Sequence, residues 1–311
     1  PGQCRHGSCF VICSWRNHLG STRICPFAEW FLSRRFWISF VQVPVKKQRR
    51  SPLFWAQLAF TLTVCAFLIV PVFMSMTAGV TLNYMTGVSG GLTTQWVEKV
   101  LTDYRGPIFL SLQLALACLV CTLVLGIPAA YVLAKRQNAF TRAIEELLVM
   151  PVAVPGIATA LALIVTYGSS GGFRTSWLFI LVGHVLFTLP FMVRSVLAVM
   201  SSIDLKTLEE GARSLGANFI QRFFGIILPN CRSGIIAGSL MVVTLSLGEF
   251  NMTLLLHTPL TQTLPVGLAD TYASLRLEVG SAYTLVFFVI IVPLLIAMQW
   301  ASNAISQRKR I

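Results

Sequence analysis

Six apolar runs, each long enough to cross a lipid bilayer, dominate this sequence. They cover residues 55–80, 107–134, 146–167, 176–200, 233–257 and 280–304. About 20 apolar residues in a helix span the hydrocarbon core, and only helices and closed barrels satisfy their backbone hydrogen bonds inside lipid. The runs are too long and continuous for barrel strands, which have about ten residues of alternating character. The sequence therefore predicts an all-α, polytopic membrane protein with six transmembrane helices.

The composition agrees with this fold class. Of the 311 residues, 55% are hydrophobic and only 11% are charged, and the mean hydropathy is +0.75. Soluble domains carry about a quarter charged residues, and a soluble domain of this length buries only about three quarters of its surface. The apolar side chains are too many for a soluble interior, so an ordinary soluble protein is excluded.

The basic residues are distributed unevenly between the two sides of the predicted spans. From residue 46 onward, alternate connections hold fifteen Lys and Arg on one side and four on the other. Cytoplasmic connections carry the excess of basic residues, which places both termini in the cytoplasm. Topology accounts for much of the net charge of +13, so we expect no nucleic-acid partner.

The first 50 residues differ from the rest, with nine Lys and Arg, one acidic residue and four cysteines. Their Cys and His spacing lacks the paired C-x2-C pattern of zinc sites, and no signal-peptide pattern is present. The first Met is Met74, and a basic cluster after Val45 leads into the first span. We predict that residues 1–50 are a non-native or disordered extension with a basic cluster before the span, and that residues 1–44 lie outside the functional protein.

One cytoplasmic connection, residues 201–232, has the pattern of two short helices joined by a turn. Asp204 is placed to cap the first helix, and Gly216 ends it, because a residue just past a helix end often adopts a left-handed conformation. A second helix is predicted from Asn218 to Ile227, with Pro229 preventing its simple continuation. The first helix is predicted to have one apolar edge, formed by Leu205, Leu208, Ala212 and Leu215.

This connection resembles the coupling motif of the permease subunits of binding-protein-dependent ABC importers of type I. The motif reads Glu-Ala-Ala, three residues, Gly, nine residues, Ile, one residue, Leu-Pro. The matching residues here are Glu210, Gly211, Ala212, Gly216, Ile226, Leu228 and Pro229. Gly211 replaces the usual Ala, at a cost of about 1 kcal/mol in local helix stability. The segments GIPAAYVLAKR, VMPVAVPGIATALALIV and SLGEFNMTLLL also resemble this family.

The resemblance implies a location in the cell inner membrane, a domain organisation and a set of partners. Residues 106–305 would form the permease domain, preceded by a first transmembrane helix and outer loop in 51–105 and followed by a basic cytoplasmic tail, 306–311. The partners would be a second permease subunit, identical or different, two cytoplasmic ABC ATPases and an extracytoplasmic solute-binding protein that delivers a small-molecule substrate. The chain has no G-x4-G-K-[ST] phosphate loop, so we expect a transport subunit that is not an enzyme, needs no cofactor or metal, and leaves ATP hydrolysis to another chain.

The same resemblance implies that residues 201–232 are a coupling loop that sits in a groove of the ATPase. Short connections, turned at Gly216 and Pro229, would transmit movement to the fourth and fifth spans. The alternative is an amphipathic helix lying on lipid, which the two acids disfavour on an anionic leaflet. The coupling residues would be Glu209, Glu210, Gly211, Ala212, Gly216, Ile226, Leu228 and Pro229.

A second group of candidates lies inside the predicted spans. Pro151 and Pro155 interrupt the third span, which indicates either a cavity that satisfies the freed carbonyls or ordinary kinks. Glu249 lies past the midplane of the fifth span, where a carboxylate is costly and suggests function. Its possible roles are substrate contact, packing or gating. Asn251 is two residues further, about 200° around a continuous helix. These four residues are predicted to line the translocation pathway or its gate.

Other intramembrane polar residues are predicted to serve packing. His184 would form a helix-to-helix hydrogen bond, and Cys118 and Cys121 would act as small packing residues. Within the family, the chain is most similar to the group that transports spermidine and putrescine, sulfate, iron, thiamine or phosphonate. A polyamine is favoured, with Glu249 as the reason, and the other substrates remain alternatives. The competing class is a secondary transporter or channel, which would carry ionisable pairs in several spans.

Overall fold

The computed structural model describes residues 52–136 and 138–307. The chain divides into two units, residues 1–64 and 65–311. In the first unit, the described residues 52–64 are the beginning of helix α1, Pro52–Ala78. The cysteines of the first 50 residues, the predicted extension and most of the basic tail lie outside the described residues.

The described chain is helical, and the all-α prediction is confirmed. Between residues 52 and 307 the only strand-like pairing is an isolated antiparallel bridge between Thr81 and Leu92. A short 3₁₀ helix covers Gly87–Gly90. The helices after α1 are α2 Gln95–Asp103, α3 Arg105–Lys135, α4 Ala139–Ala153, α5 Gly156–Tyr167, α6 Gly171–Arg174, α7 Trp177–Ser202, α8 Leu205–Ser214, α9 Phe219–Asn230, α10 Arg232–Gly248, α11 Asn251–Leu256, α12 Leu264–Ala273 and α13 Leu277–Gln307.

Four stretches of the described chain are long and apolar enough to cross a membrane as single helices: Leu53–Ala78, Arg105–Lys135, Trp177–Ser202 and Leu277–Trp300. Two bent pairs bring the number to six if each pair counts as one span. The helices α4 and α5 meet at 101°, and α9 and α10 meet at 72°. Four predicted spans are therefore continuous helices, whereas the third and fifth predicted spans are not.

The third predicted span breaks at Val154 and Pro155. Val154 adopts an extended conformation with ψ 133°, because the ring of the following proline disfavours helical geometry at the preceding residue. Pro151 lies inside α4, so only the second of the two predicted prolines lies at the break. The prediction of an interrupted span is confirmed, and the interruption is a sharp bend.

The fifth predicted span was expected to be continuous from 233 to 257, and this is wrong. The helix α10 ends at Gly248, Glu249 is extended with ψ 113°, and α11 begins at Asn251. Apolar residues occur on both sides of Glu249, so the apolar pattern alone does not indicate the break. The estimate that Asn251 lies about 200° around a helix from Glu249 is therefore wrong as well.

The core lies where α3, α7 and α10 pack together, with Phe179, Ile180 and Val196 fully buried. Glycines let these helices approach closely. A Cβ on Gly126 of α3 would lie 2.8 Å from Met192 Cγ, and one on Gly238 of α10 would lie 2.8 Å from Met192 Sδ. Small residues at helix contacts are the usual way in which transmembrane helices pack. The side chain of Met192 is thus held between glycines of two helices.

All three predicted outer connections contain helices of their own, and α6 forms half of the shortest one, 168–175. The helix α2 lies in the 81–106 connection and α12 in the 258–279 connection. Both pack on α13 around Tyr283, which is fully buried, and the rings of Tyr104 and Tyr283 meet edge to face at 4.9 Å. These connections are folded parts of the protein.

Candidate functional site

The 201–232 segment begins with the predicted cap. One carboxylate oxygen of Asp204 accepts a hydrogen bond from the Thr207 backbone N–H at 3.2 Å, and the other accepts from the Thr207 hydroxyl at 2.6 Å. These bonds lower the pKa of the exposed Asp204 carboxyl, because they favour its charged form. The cap predicted for α8 is confirmed.

The end of α8 has the geometry predicted for Gly216. Its φ is +80°, in the left-handed region where any side chain is strained. The Gly216 N–H donates to the Arg213 carbonyl at 2.9 Å, and the Ala217 N–H donates to the Ala212 carbonyl at 3.0 Å. These two bonds form a Schellman motif, which satisfies the last carbonyls of the helix. The turn after α8 is therefore fixed by its own residues.

The second helix begins at a reciprocal cap. The Asn218 side chain accepts from the Gln221 backbone N–H at 2.8 Å, and the Gln221 side chain accepts from the Asn218 N–H at 2.9 Å. This helix was predicted to run to Ile227, with Pro229 preventing its simple continuation, and it ends three residues later, at Asn230. Residues Phe223–Ile227 form a π turn, and Pro229 lies in the first turn of the short α segment that follows, where its missing N–H costs little. The helical conformation continues to Asn230.

The two adjacent acids of α8 have different surroundings. Glu209 is buried, and Glu210 is exposed with a 4.0 Å contact to Lys206. Lys135 Nζ of α3 lies 2.6 Å from one Glu209 carboxylate oxygen, and the Tyr131 hydroxyl donates to the other. Burial alone would raise the pKa of the Glu209 carboxyl, but these two hydrogen bonds, with the positive charges of Lys135 and Arg222, lower it. Glu209 therefore points into the protein, and only Glu210 faces outward.

The apolar edge predicted for α8 is only partly correct. Ala212 is buried and Leu205 half-buried, whereas Leu208 is 39% exposed and Leu215 is 88% exposed. The inward face is formed by residues 205, 209 and 212, whose spacing of four and three keeps them on one side of a helix. This spacing was the signal that would have placed Glu209 inside. The partners Tyr131, Lys135 and Arg222 had no such signal, because they belong to other helices.

The remaining motif residues are distributed between the interior and the surface. Gly211 is exposed, and a Cβ there would meet no atom within 4 Å. Ile226 and Leu228 are half-buried. Several large apolar side chains of the segment stay exposed, and we call them the apolar patch: Leu208, Leu215, Phe219, Ile220 and Phe224.

The two helix breaks meet each other. A Cβ on Gly156, the first residue of α5, would lie 3.5 Å from Asn251 Cβ and 3.5 Å from a Glu249 carboxylate oxygen. The same oxygen accepts from the Met252 backbone N–H at 2.8 Å. Glu249 therefore caps the start of α11 beside the start of α5. The structure brings Glu249 and Asn251 together next to the Pro155 break, and Pro151 lies within α4.

A buried histidine connects both sides of the second break to α7. His184 Nδ1 is 2.9 Å from the Ser246 hydroxyl, which precedes the break, and Nε2 is 2.9 Å from the Thr253 hydroxyl, which follows it. The prediction of a helix-to-helix hydrogen bond is confirmed. The Cys118 thiol of α3 lies 3.1 Å from the Thr188 hydroxyl of α7 in the core, which agrees with a packing role.

No group of three or more His, Cys, Asp or Glu side chains that could hold a metal occurs in the described part of the chain. The geometry instead combines membrane-length helices, two bent pairs and a rigidly capped helical segment. It defines a polytopic helical membrane protein.

The comparisons with known proteins specify this class. A family model described as "Binding-protein-dependent transport system inner membrane component" matches residues 123–311. The putrescine transport system permease protein PotI of Escherichia coli is 28% identical over 260 residues, which cover 78% of this chain and 90% of that protein. The sulfate transport system permease protein CysW of Synechocystis sp. is 27% identical over 205 residues, or 61% of this chain and 74% of that protein.

Solved structures share the fold. One bacterial ABC transporter involved in the import of the acidic polysaccharide alginate has a chain that matches with a TM-score of 0.65 and 16% identity, covering 87% of this chain and 99% of that chain. The inward-facing MetNI methionine ABC transporter matches with a TM-score of 0.55 and 17% identity, covering 68% and 97%. The chain belongs to the family of inner membrane components of binding-protein-dependent ABC import systems, and it is a permease subunit of such a system.

Proposed function

We propose that this chain is one of two permease subunits of an ATP-driven importer and forms half of the translocation pathway. The 201–232 segment docks on a separate cytoplasmic ATPase. The observation that carries the proposal is the apolar patch, in which Leu215, Ile220 and Phe224 are 88%, 64% and 62% exposed. An exposed apolar patch marks an interaction surface. The caps at Asp204, Gly216 and Asn218 hold this patch in one shape.

The charged residues around the patch support a protein partner. Glu210 is exposed on α8, and Arg213 is exposed one turn further on, so the patch has a polar rim of both signs, as protein interfaces do. A helix lying on lipid would instead have a basic polar face. We therefore favour the ATPase groove over the membrane surface as the occupant.

The test of docking uses the complex of this chain with its ATPase and binding protein in nanodiscs. Glu210→Lys or Gly216→Val should leave the chain inserted and abolish the ATP hydrolysis that the loaded binding protein stimulates. Glu146→Lys is the matched control, because Glu146 is an exposed acid on α4, outside the segment. Normal stimulation in both segment variants would reject the docking role. Purification of an active transporter that lacks any ATPase would favour a secondary transporter or channel.

We propose that the side of the membrane with the excess of Lys and Arg is cytoplasmic, so that both termini lie in the cytoplasm. It places the 201–232 segment on the side where ATP is available. A C-terminal green fluorescent protein fusion should fluoresce in the inner membrane, and a C-terminal alkaline phosphatase fusion should be inactive. The reverse pattern would contradict the orientation.

For the substrate we propose a polyamine, with Glu249 as the contact. One Glu249 oxygen caps α11, and the other makes no hydrogen bond within residues 52–136 and 138–307. This second oxygen can accept hydrogen bonds from an ammonium group. The putrescine permease of Escherichia coli is a similar protein that the chain matches over 90% of that protein's length. The sulfate permease relative supports the second candidate, an inorganic oxyanion.

Uptake into proteoliposomes separates these two candidates. We expect Glu249→Gln to reduce uptake of labelled spermidine about tenfold, because the glutamine oxygen still caps Met252 while the negative charge is lost. Glu249→Asp keeps the charge and serves as the matched variant. If the reconstituted complex takes up labelled sulfate, and Glu249→Gln does not reduce this uptake, the polyamine proposal is wrong.

A further inference from the structure

Residues of three helices share the buried carboxylate of Glu209, and we call Tyr131, Lys135, Glu209 and Arg222 the Glu209 cluster. Lys135 Nζ is 2.6 Å from Glu209 Oε2 and donates to the Tyr131 hydroxyl at 2.8 Å. Tyr131 donates to Glu209 Oε1. Tyr131 and Lys135 belong to α3, which is far from α8 in sequence. The carboxylate therefore attaches the 201–232 segment to α3.

Arg222 of α9 approaches the same carboxylate. Its Nη1 lies 4.0 Å from Glu209 Oε2, and both side chains are only 10% exposed. This buried Nη1 has no hydrogen-bond partner among the described residues. Arg222 is too far from Glu209 for a full hydrogen bond, yet near enough for its charge to favour the carboxylate. A small shift of α9 relative to α8 would close or open this contact.

An aromatic layer fixes α9 to the same point on α3. The Tyr131 ring meets the Phe223 ring edge to face at 5.6 Å and lies 6.1 Å from the Phe219 ring. Lys135 Nζ lies 5.1 Å from the centre of the Tyr131 ring. Tyr131 therefore contacts both helices of the segment, one through its hydroxyl and the other through its ring.

Movement of the 201–232 segment can reach the core through contacts with α3, in addition to its covalent connections. The segment is joined covalently to α7 through Ile203 and to α10 through Cys231. The Glu209 cluster adds α3, which packs on α7 at Gly126 and Met192. Rigid, tightly packed contacts transmit displacement, because packed cores deform little.

We propose that the Glu209 cluster transmits movement of the 201–232 segment to α3, and that Lys135 and Tyr131 are positioning residues for coupling. This rests on the proposed docking of the segment on an ATPase. When the ATPase displaces the segment, the shared carboxylate and the Tyr131 ring carry α3 along with α7 and α10. Loss of the Lys135 charge releases α3 and leaves the two covalent routes.

The experiment uses the whole complex in nanodiscs and compares Lys135→Met with Lys135→Arg. Methionine keeps much of the aliphatic chain and removes the charge, whereas arginine keeps the charge and is the matched control. We expect Lys135→Met to retain the ATPase on purification and to lose about tenfold in binding-protein-stimulated hydrolysis, within the usual range of coupling between sites. We expect Lys135→Arg to retain most of the stimulation.

A second readout separates coupling from loss of structure. Cysteines replace Val132 on α3 and Ala198 on α7, two exposed positions, and thiol labelling is measured with and without ATP against the chain lacking the added cysteine. In the wild-type background ATP should change labelling at both positions. In Lys135→Met, ATP should change labelling only at Ala198→Cys. Equal loss at both positions would indicate a merely structural role and overturn the proposal.

Tyr131→Phe is the second variant, because it keeps the ring contacts and removes only the hydroxyl bonded to Glu209. It should reduce stimulated hydrolysis less than Lys135→Met does. If the wild-type complex shows stimulated hydrolysis, and both variants show normal stimulation and normal α3 labelling, the role of the Glu209 cluster is overturned and the proposed docking is not. A wild-type complex with no stimulated hydrolysis would overturn the proposed docking as well.

Discussion

The 201–232 segment and the paired helix breaks are built by different means. In the segment, each helix end is fixed by residues within a few positions: Asp204 with Thr207, Gly216 with Arg213, and Asn218 with Gln221. At the breaks, Gly156 meets Asn251, and His184 joins Ser246 to Thr253. The shape of the segment is therefore set locally, and the geometry of the breaks is set by distant parts of the chain.

The largest effect on stability is expected at the helix breaks, where residues that are distant in sequence meet. His184→Leu removes both ring nitrogens and leaves the buried hydroxyls of Ser246 and Thr253 without this partner, at a cost of about 1–3 kcal/mol. Thermal unfolding in detergent, followed by dye labelling of the buried thiols Cys118 and Cys231, should show a lower Tm. Val182→Leu, at an exposed position of the same helix, should leave the Tm unchanged. An equal Tm for both variants would mean that the hydrogen bonds contribute nothing.

A smaller, local effect is expected in the segment. Gly216→Val places a β-branched residue at φ +80°, which costs about 1–2 kcal/mol, or roughly a five- to thirtyfold change in the open population. Tryptic cleavage at the exposed Arg213 should accelerate by that factor, because it reports local opening. The Tm of the whole protein should change much less. A large fall in Tm with unchanged cleavage would show that the segment is not an independent local unit.

The same cleavage assay should detect a change of opposite sign for a substitution five residues earlier in α8. Gly211→Ala meets open space and introduces a better helix former, which stabilises α8 by about 0.5–1 kcal/mol. Cleavage at Arg213 should slow about two- to fivefold. Faster cleavage would mean that the glycine serves a contact in the segment other than helix formation.

The smallest effect on the Tm is expected from a change of pH at Glu209, whose carboxylate is held by Lys135 and Tyr131 of α3. Its pKa is lowered in the folded protein, so its contribution to stability is fully present above its ordinary pKa of about 4.3. That contribution is lost as the pH falls through the lowered value. The Tm difference between wild type and Glu209→Gln should be constant above about pH 5 and close in more acid solution. A difference that widens in acid would contradict this sign.

Much of the fold was predictable because its signals are local or repetitive. The apolar runs gave four spans as continuous helices, and Pro155 gave the bend of the third. The break at Glu249 was not predictable from hydropathy, because leucine and methionine residues continue past it. The end of α9 was predicted three residues too early, because Pro229 is tolerated in the first turn of the α segment that follows the π turn.

The candidate site shows the same division. Asp204 and Gly216 were predicted with their conformations, because caps are interactions between neighbours in sequence. The burial of Glu209 follows from the helical spacing of residues 205, 209 and 212, but the predicted apolar edge of α8 did not include Glu209. Its partners Tyr131 and Lys135 lie 78 and 74 positions away, and Arg222 belongs to the next helix. No sequence rule pairs residues on different helices, so these partners could not be found without the tertiary structure.

The sequence by itself determined that this chain is a helical membrane protein, where its helical segment turns, and which family motif that segment carries. These follow from hydrophobic periodicity, backbone conformation and capping, which act over a few residues. Only the tertiary structure decided that Glu209 faces inward, that two helix breaks meet beside Gly156, and that the 201–232 segment is attached to α3. These depend on which helices pack together, and the close approach at glycines such as Gly126 and Gly238 determines that packing.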